Sequence, residues 1–176
     1  LSALRNEFLA TFHIVAPCTH QGPCPALAAG NERDWCHFFA PPPGEIFADS
    51  NWVKFSQRAG IDLRSLPYCF VAMEKWPPDG ARSIGETPPG FHRDTSPVGD
   101  EASPVAEAPL SRVIGRPEHF KPYARVLSCD ATGLTELELP KRTDPALFKQ
   151  LERTKSPLVY RWRRNENKIL EGKLLE

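Results

Sequence analysis

The sequence contains no apolar run approaching the roughly 18 residues of a membrane span, so a membrane is not expected as a partner. It has no excess of either charge, 22 Lys and Arg standing against 22 Asp and Glu, and DNA is not among the expected partners. There is no Gly-rich phosphate loop, no G-x-G-x-x-G after a strand and no helical His-Glu-x-x-His. A nucleotide or adenosyl cofactor, if one is bound, is therefore expected mostly outside these residues. An initiator Met and a basic, hydrophobic signal segment are also missing, and the chain is expected to be a fragment of a longer polypeptide. Cysteine is scarce and unpaired in number: five residues, grouped as a close trio and two others, do not form a secreted disulfide framework. A reducing compartment follows.

What is present is concentrated near the start. Cys18 and Cys24 lie in Pro17-Cys18-Thr19-His20-Gln21-Gly22-Pro23-Cys24-Pro25, and Cys36 lies in Asp34-Trp35-Cys36-His37-Phe38. Cys129 stands far downstream beside a turn. A structural metal site needs about four converging donors, and three local thiols plus one remote one meet that count. Gly22 and Pro23 bend the chain so that Cys18 and Cys24 can face one point, and Trp35, Phe38 and Phe39 can limit solvent access. The spacing matches neither a zinc ribbon nor a bacterial ferredoxin, so iron–sulfur and zinc both stay open. His20 and His37 are close enough to replace a thiolate; a hydrogen-bonding role in the surroundings of the site is their competing explanation. A Cys36–His37 nucleophile lacks an orienting third group. Cys69, in the apolar run Pro67–Met73, reads as a buried strand residue.

Leu1, Leu4, Phe8, Leu9 and Phe12 repeat at helical spacing and lead into a strand at His13–Ala16. Residues 17–43 read as a cysteine-rich loop inserted before a second strand at about Pro67–Glu74. Residues 77–109, with seven Pro, four Gly and few bulky apolar side chains, read as a disordered linker. Strands follow at Arg112–Ile114, Tyr123–Cys129 and Leu134–Leu139, the last two joined as a hairpin by Asp130-Ala131-Thr132-Gly133. A helix opens at Asp144-Pro145 with Leu147, Phe148 and Leu151 on one side, and a strand occupies Leu158–Arg163. The organisation is thus 1–76, a linker at 77–109, a small mainly β module with one helix at 110–164, and a tail at 165–176.

The module is locally basic: residues 111–164 carry 12 Lys or Arg against 6 Asp or Glu. Lys121, Arg125, Lys141, Arg142, Arg161 and Arg163, interleaved with Tyr123, Tyr160 and Trp162, suit phosphate contact and base stacking. A solvated strand face has the same composition.

Taken in order, Pro17-Cys18-x-His20-x-Gly22-x-Cys24-Pro25, Asp34-Trp35-Cys36-His37-Phe38, the Pro67–Met73 strand, Arg112-Val113-Ile114 and Cys129-x-x-x-Gly133 resemble the methyltransferase-like protein 17 family. These are methyltransferase-like proteins associated with the mitochondrial small ribosomal subunit, together with their bacterial relatives. The resemblance implies an α/β to α+β architecture: the end of a Rossmann-like class I methyltransferase domain carrying the cysteine insertion, then a small β module that returns a fourth cysteine. It implies a structural [4Fe–4S] cluster on Cys18, Cys24, Cys36 and Cys129, and action in small-subunit assembly and translation through binding of ribosomal RNA. It assigns no catalytic residue, and S-adenosylmethionine would sit in the upstream part. The alternatives are an active S-adenosylmethionine-dependent rRNA methyltransferase and a zinc-stabilised RNA-binding module. Phe39-Ala40-Pro41-Pro42-Pro43 replaces a usually polar stretch, Cys69 replaces the usual Ser, and the linker is long. The last feature favours a bacterial, cytoplasmic relative over a mitochondrial matrix protein.

Overall fold

Alternation of buried and exposed side chains dictates the best-formed part of the molecule. In a computed structural model, which describes residues 1–31, 33–76, 105, 108–153 and 157–175, strand β6 (Tyr123–Asp130) buries Ala124, Val126, Ser128 and Asp130 and turns the residues between them outward. It pairs along its whole length with β7 (Gly133–Pro140), from Tyr123 opposite Pro140 to Asp130 opposite Gly133. The expected hairpin is present, with Cys129 one residue from its turn.

Three more strands close this hairpin into a barrel: β5 (Leu110–His119), β8 (Leu158–Asn165) and β9 (Lys168–Leu175), in the order β5-β6-β7-β9-β8 with β8 returning to β5. Neighbours are antiparallel except β7 and β9, which meet in parallel at Glu138 and Lys168. Closure leaves no free sheet edge in the barrel. Residues 165–176, expected as a tail, therefore supply a wall of the barrel. Their strand pattern is weak because Leu170 faces outward next to buried Ile169, and Gly172 follows two residues later. A Cβ on Gly172 would stand 2.5 Å from the Trp162 ring, so this glycine marks a close approach of ring to backbone.

Helix α4 (Pro145–Arg153) connects β7 to β8, and the Asp144 carboxylate caps it by accepting the Leu147 N–H at 2.8 Å. Its Leu147, Phe148 and Leu151 join Val113, Val126, Leu137, Leu139, Tyr160, Trp162 and Ile169 in one apolar core. In the barrel interior, Ser111 Oγ donates to Asp130 Oδ2 at 2.9 Å, and Trp162 Nε1 donates to Ser128 Oγ at 3.1 Å, so these buried polar groups are paired.

Ahead of the barrel lie α1 (Ser2–Phe8), β1 (Phe12–Ala16), β2 (Phe38–Phe39), α2 (Glu45–Ala48), α3 (Ser50–Ala59), β3 (Pro67–Tyr68) and β4 (Ala72–Lys75). The single strand expected over Pro67–Glu74 is two: β3 pairs with β2, and β4 pairs antiparallel with β1. Cys69 falls in the break between them and is exposed, which corrects its assignment to the core. The apolar neighbours that suggested burial are used otherwise, Phe70 packing at 5.5 Å from Phe38 and 6.0 Å from Tyr68. Helices α2 and α3 sit where no element was expected. Asp49 caps α3 by accepting from Asn51 N, but none of its residues is buried, so no inward stripe announces it.

The linker expected over 77–109 falls mostly outside the described residues. At its C-terminal end the expectation is corrected: Val105 is buried, and the Ala108 carbonyl accepts a hydrogen bond from the Arg161 side chain. Among the described residues, no helix is long and apolar enough to cross a membrane.

Candidate metal centre

The cysteine segment begins where β1 ends and is tied back to it at once. The Gln21 side chain donates to the Ile14 carbonyl and accepts from the Ile14 N–H, both at 2.8 Å. Helix α1 supplies the next ties, and they come from a charged residue. Although Leu1 and Leu4 made the helix recognisable, both are exposed, and the residue that α1 buries is Arg5, at 3% exposure. Its guanidinium donates to the carbonyls of Gly22 (2.7 Å) and His20 (3.0 Å), to Asn6 Oδ1 (3.0 Å) and to Cys18 Sγ (3.2 Å). Asn6 Oδ1 also accepts the Cys24 N–H at 2.9 Å. Two adjacent helix residues thus hold both Cys18 and Cys24.

The same segment is fastened to barrel strand β5. Thr19 Oγ1 donates to the Leu110 carbonyl and Arg112 Nε to the Pro17 carbonyl, each at 2.7 Å, and Gly115 N donates to the His37 carbonyl at 2.8 Å. The β5–β6 register shifts between Ile114 and Glu118, which frees Gly115 for this bond. Gly115 has φ +71°, and a Cβ there would lie 2.9 Å from His37 Nε2, so both backbone and space require glycine. Arg116 lies over the Phe39 ring at 4.0 Å.

These ties bring four thiols to one place. Cys18, Cys24, Cys36 and Cys129 line a single cavity of about 20 Å³, walled otherwise by Pro17, Pro25, Ala26, Trp35, Arg112, Ile114 and Leu134. An adjoining hollow of about 160 Å³ shares Cys18, Cys24 and Cys36 and is also lined by Cys69. Neither histidine lines either space. His37 Nδ1 donates at 2.8 Å to the Trp35 carbonyl, and the ring stacks on the Trp35 ring at 4.5 Å. The ring nitrogens of His20 are buried without a hydrogen-bond partner, and burial, with Arg5 adding to it, lowers its pKa against the pull of Asp130.

As the side chains stand, among the described residues no group of three or more His, Cys, Asp or Glu is placed to hold a metal ion. A single zinc needs every sulfur at about 2.3 Å from one point, whereas a polynuclear cluster spreads its thiolates over several metal atoms. The small cavity holds about one water, so an inorganic core seated among these sulfurs displaces a wall. Trp35, 48% exposed, is the most exposed of these walls.

The charges surrounding the thiols provide a separate test of fit. Neither Arg5 nor Arg112 has a carboxylate within ion-pair distance among the described residues, and an arginine stays charged when buried. Burial lowers the Arg112 pKa, and the groups opposing that shift are Cys18 and Cys36. Four thiolates around a doubly charged metal core carry two net negative charges, which two guanidinium groups match. The residues present fit such a group.

Without metal the thiols of Cys18, Cys36 and Cys129 are poor nucleophiles. Burial, followed by neighbouring cysteines, pushes the Cys36 and Cys129 thiols up to about 12, and burial raises Cys18 as well, against Arg5. Only the thiolate reacts, so alkylation of Cys36 and Cys129 in metal-free protein should lag far behind exposed Cys69 at pH 8. Their rates should climb about tenfold per pH unit through pH 10. Iodoacetamide labelling followed by peptide mass spectrometry measures this, and a plateau below pH 9 would contradict the assigned environment.

The cations expected to touch RNA separate into two groups. Arg125 faces Glu136 (3.2 Å), Glu118 (3.7 Å) and Glu138 (3.8 Å), Arg163 pairs with Glu171 at 3.1 Å, and Arg161 is bonded to Ala108. Lys121, Lys141 and Arg142 are exposed at the end of the barrel where β6 starts and β7 stops, Lys141 N donating to the Pro122 carbonyl at 2.9 Å. Half-exposed Phe120 stacks on Tyr123 beside them, ring centroids 4.8 Å apart.

Residues 1–42 match the family described as mitochondrial small ribosomal subunit Rsm22. The matched segment contains α1 with Arg5, β1 and the three local cysteines, and stops short of the barrel. No curated protein and no solved structure matches the chain. The matched segment points to the small ribosomal subunit, the same setting as the resemblance carried by the cysteine phrases.

Proposed function

We propose that this chain belongs to a ribosome-associated, methyltransferase-like protein that acts in small-subunit assembly through ribosomal RNA, with a [4Fe–4S] cluster joining its cysteine segment to its barrel. The observation that carries the reading is the common cavity: four thiols, from positions more than a hundred residues apart, line one space beside buried Arg5 and half-buried Arg112, neither with a carboxylate partner among the described residues. Cys18, Cys24, Cys36 and Cys129 would hold the cluster, which when bound supplies strong thiolate–iron links across the joint and no reaction. Residues 1–76 would then close a Rossmann-like domain, as the resemblance implies.

Within this reading Lys121, Lys141 and Arg142 neutralise backbone phosphates, and Phe120 offers a ring for an unpaired base. By analogy of fold alone, five-stranded barrels with Greek-key order are a frequent oligonucleotide-binding architecture. In this barrel the outer side of β6 and β7 is taken up by the Arg125–glutamate cluster and by the cysteine cavity, which moves the expected RNA contact to the lysine-bearing end. Anaerobically purified protein should co-sediment with small ribosomal subunits at low salt. Reversing the three charges together (K121E/K141E/R142E) should weaken binding at least tenfold and flatten the slope of log K against log salt by roughly 2. Unchanged binding by that variant would remove the RNA assignment, and added transfer of a methyl group from S-adenosylmethionine would make the protein an enzyme.

A further inference from the structure

We infer that Arg5 is a positioning residue of the metal centre: it holds Cys18 and the turn that follows in place, and its charge and N–H···S bond raise the centre's reduction potential. This rests on the cluster reading proposed above. Arg5 is the most buried charged side chain described, at 3% exposure, in a helix whose leucines stay outside. Folding gains little from such an arrangement on packing grounds, since a guanidinium without an anion is costly to desolvate. Three of its contacts are neutral oxygens, the carbonyls of Gly22 and His20 and the amide oxygen of Asn6; the fourth is Cys18 Sγ at 3.2 Å. Only that sulfur can carry the balancing charge. A neutral thiol accepts weakly, whereas a thiolate makes a charge-assisted bond about twice as strong as a neutral one.

The geometry also separates Arg5 from Arg112. Arg112 Nε spends its bond on the Pro17 carbonyl at 2.7 Å, while Arg5 Nε points at the sulfur itself. Through Asn6, which accepts both from Arg5 and from the Cys24 N–H, the same side chain fixes a second cysteine. Hydrogen bonds to cluster sulfurs and local positive charge stabilise the more negative, reduced state.

The test uses anaerobically purified chain carrying R5M, which keeps much of the volume and loses charge and donors, and R5K, which keeps the charge on a single ammonium. Iron and sulfide per chain, the midpoint potential from a dye-coupled titration, and the near-ultraviolet circular dichroism of the barrel are read for each. R5M should lose at least half its iron with the barrel signal intact, and its remaining clusters should have a lower midpoint potential. R5K should recover the potential more fully than the iron. If R5M does not fold, R5K decides: reduced iron in a folded barrel supports the assignment, and wild-type iron with wild-type potential overturns it. Residual R5M clusters at the wild-type potential would reduce Arg5 to a residue of the fold and likewise overturn it. Absence of iron from the wild-type protein fails the cluster reading itself, a result distinct from either.

Discussion

On the proposed cluster reading, changing Cys129 to Ser should empty the metal centre and loosen the joint between the cysteine segment and the barrel. Iron in the variant should fall from about four per chain to well under one, because the three local thiols cannot close the site. The barrel should still fold, since Cys129 is outside its core of Val113, Val126, Leu137, Leu139, Tyr160, Trp162 and Ile169. Among the described residues, the polar ties left across the joint are three hydrogen bonds, at Thr19–Leu110, Arg112–Pro17 and Gly115–His37, and the Arg116–Phe39 contact, beside the apolar packing of Pro17, Pro25 and Trp35 near Ile114 and Leu134. Each contributes about 0.5–1.5 kcal/mol, so together they supply a few kcal/mol. A structural zinc site of comparable thiolate content contributes about 10–16 kcal/mol, which sets the scale of the loss. Melting followed by circular dichroism should therefore resolve two transitions in the variant, with the cysteine segment unfolding first. Metal content unchanged by Cys129→Ser would transfer the fourth donor to His20 or to Cys69.

The second large effect is expected from ending the chain after Asn165. Strand β9 lies between β7 and β8, with Val159 opposite Leu175 and Asn165 opposite Lys168. Its loss uncovers two strand edges and strips Ile169 and Leu174 from the core. A fully buried aliphatic side chain such as Ile169 contributes about 1.5–3 kcal/mol, partly buried Leu174 less, and the seven residue pairs of β9 with β8 disappear with them. Against a total stability of about 5–15 kcal/mol for a domain, the barrel should lose its cooperative transition. Urea unfolding of the truncated chain should be broad, with no near-ultraviolet signal from Trp162. A sharp transition at the wild-type midpoint would contradict the closed barrel.

Local chemistry made some features legible in the sequence. The β6–β7 hairpin, the Asp144 cap with its Leu147, Phe148 and Leu151 face, and the grouping of Cys18, Cys24 and Cys36 each follow from neighbours in sequence. Cys129 was picked out by counting donors, and the structure places it in the same cavity. The misread elements depend on partners far along the chain. Strand β9 lacks clean alternation and acquires its place from β7 and β8 on either side. Cys69 looked buried because its neighbours are apolar, yet the backbone switches sheets there and leaves the thiol outside. Arg5 offers no sequence signal at all: its burial only makes sense once a sulfur stands 3.2 Å from its Nε. The cations of the barrel show the same limit, since composition counts Arg125 and Arg163 as free while Glu136 and Glu171 already hold them.

We propose that four cysteines from two parts of the chain hold one iron–sulfur cluster. Iron, acid-labile sulfide and zinc measured on anaerobically purified wild-type protein, with its visible spectrum, test it most directly. The account predicts about four irons and about four sulfides per chain with broad absorption near roughly 400 nm. One zinc per chain, without sulfide or visible absorption, would contradict it.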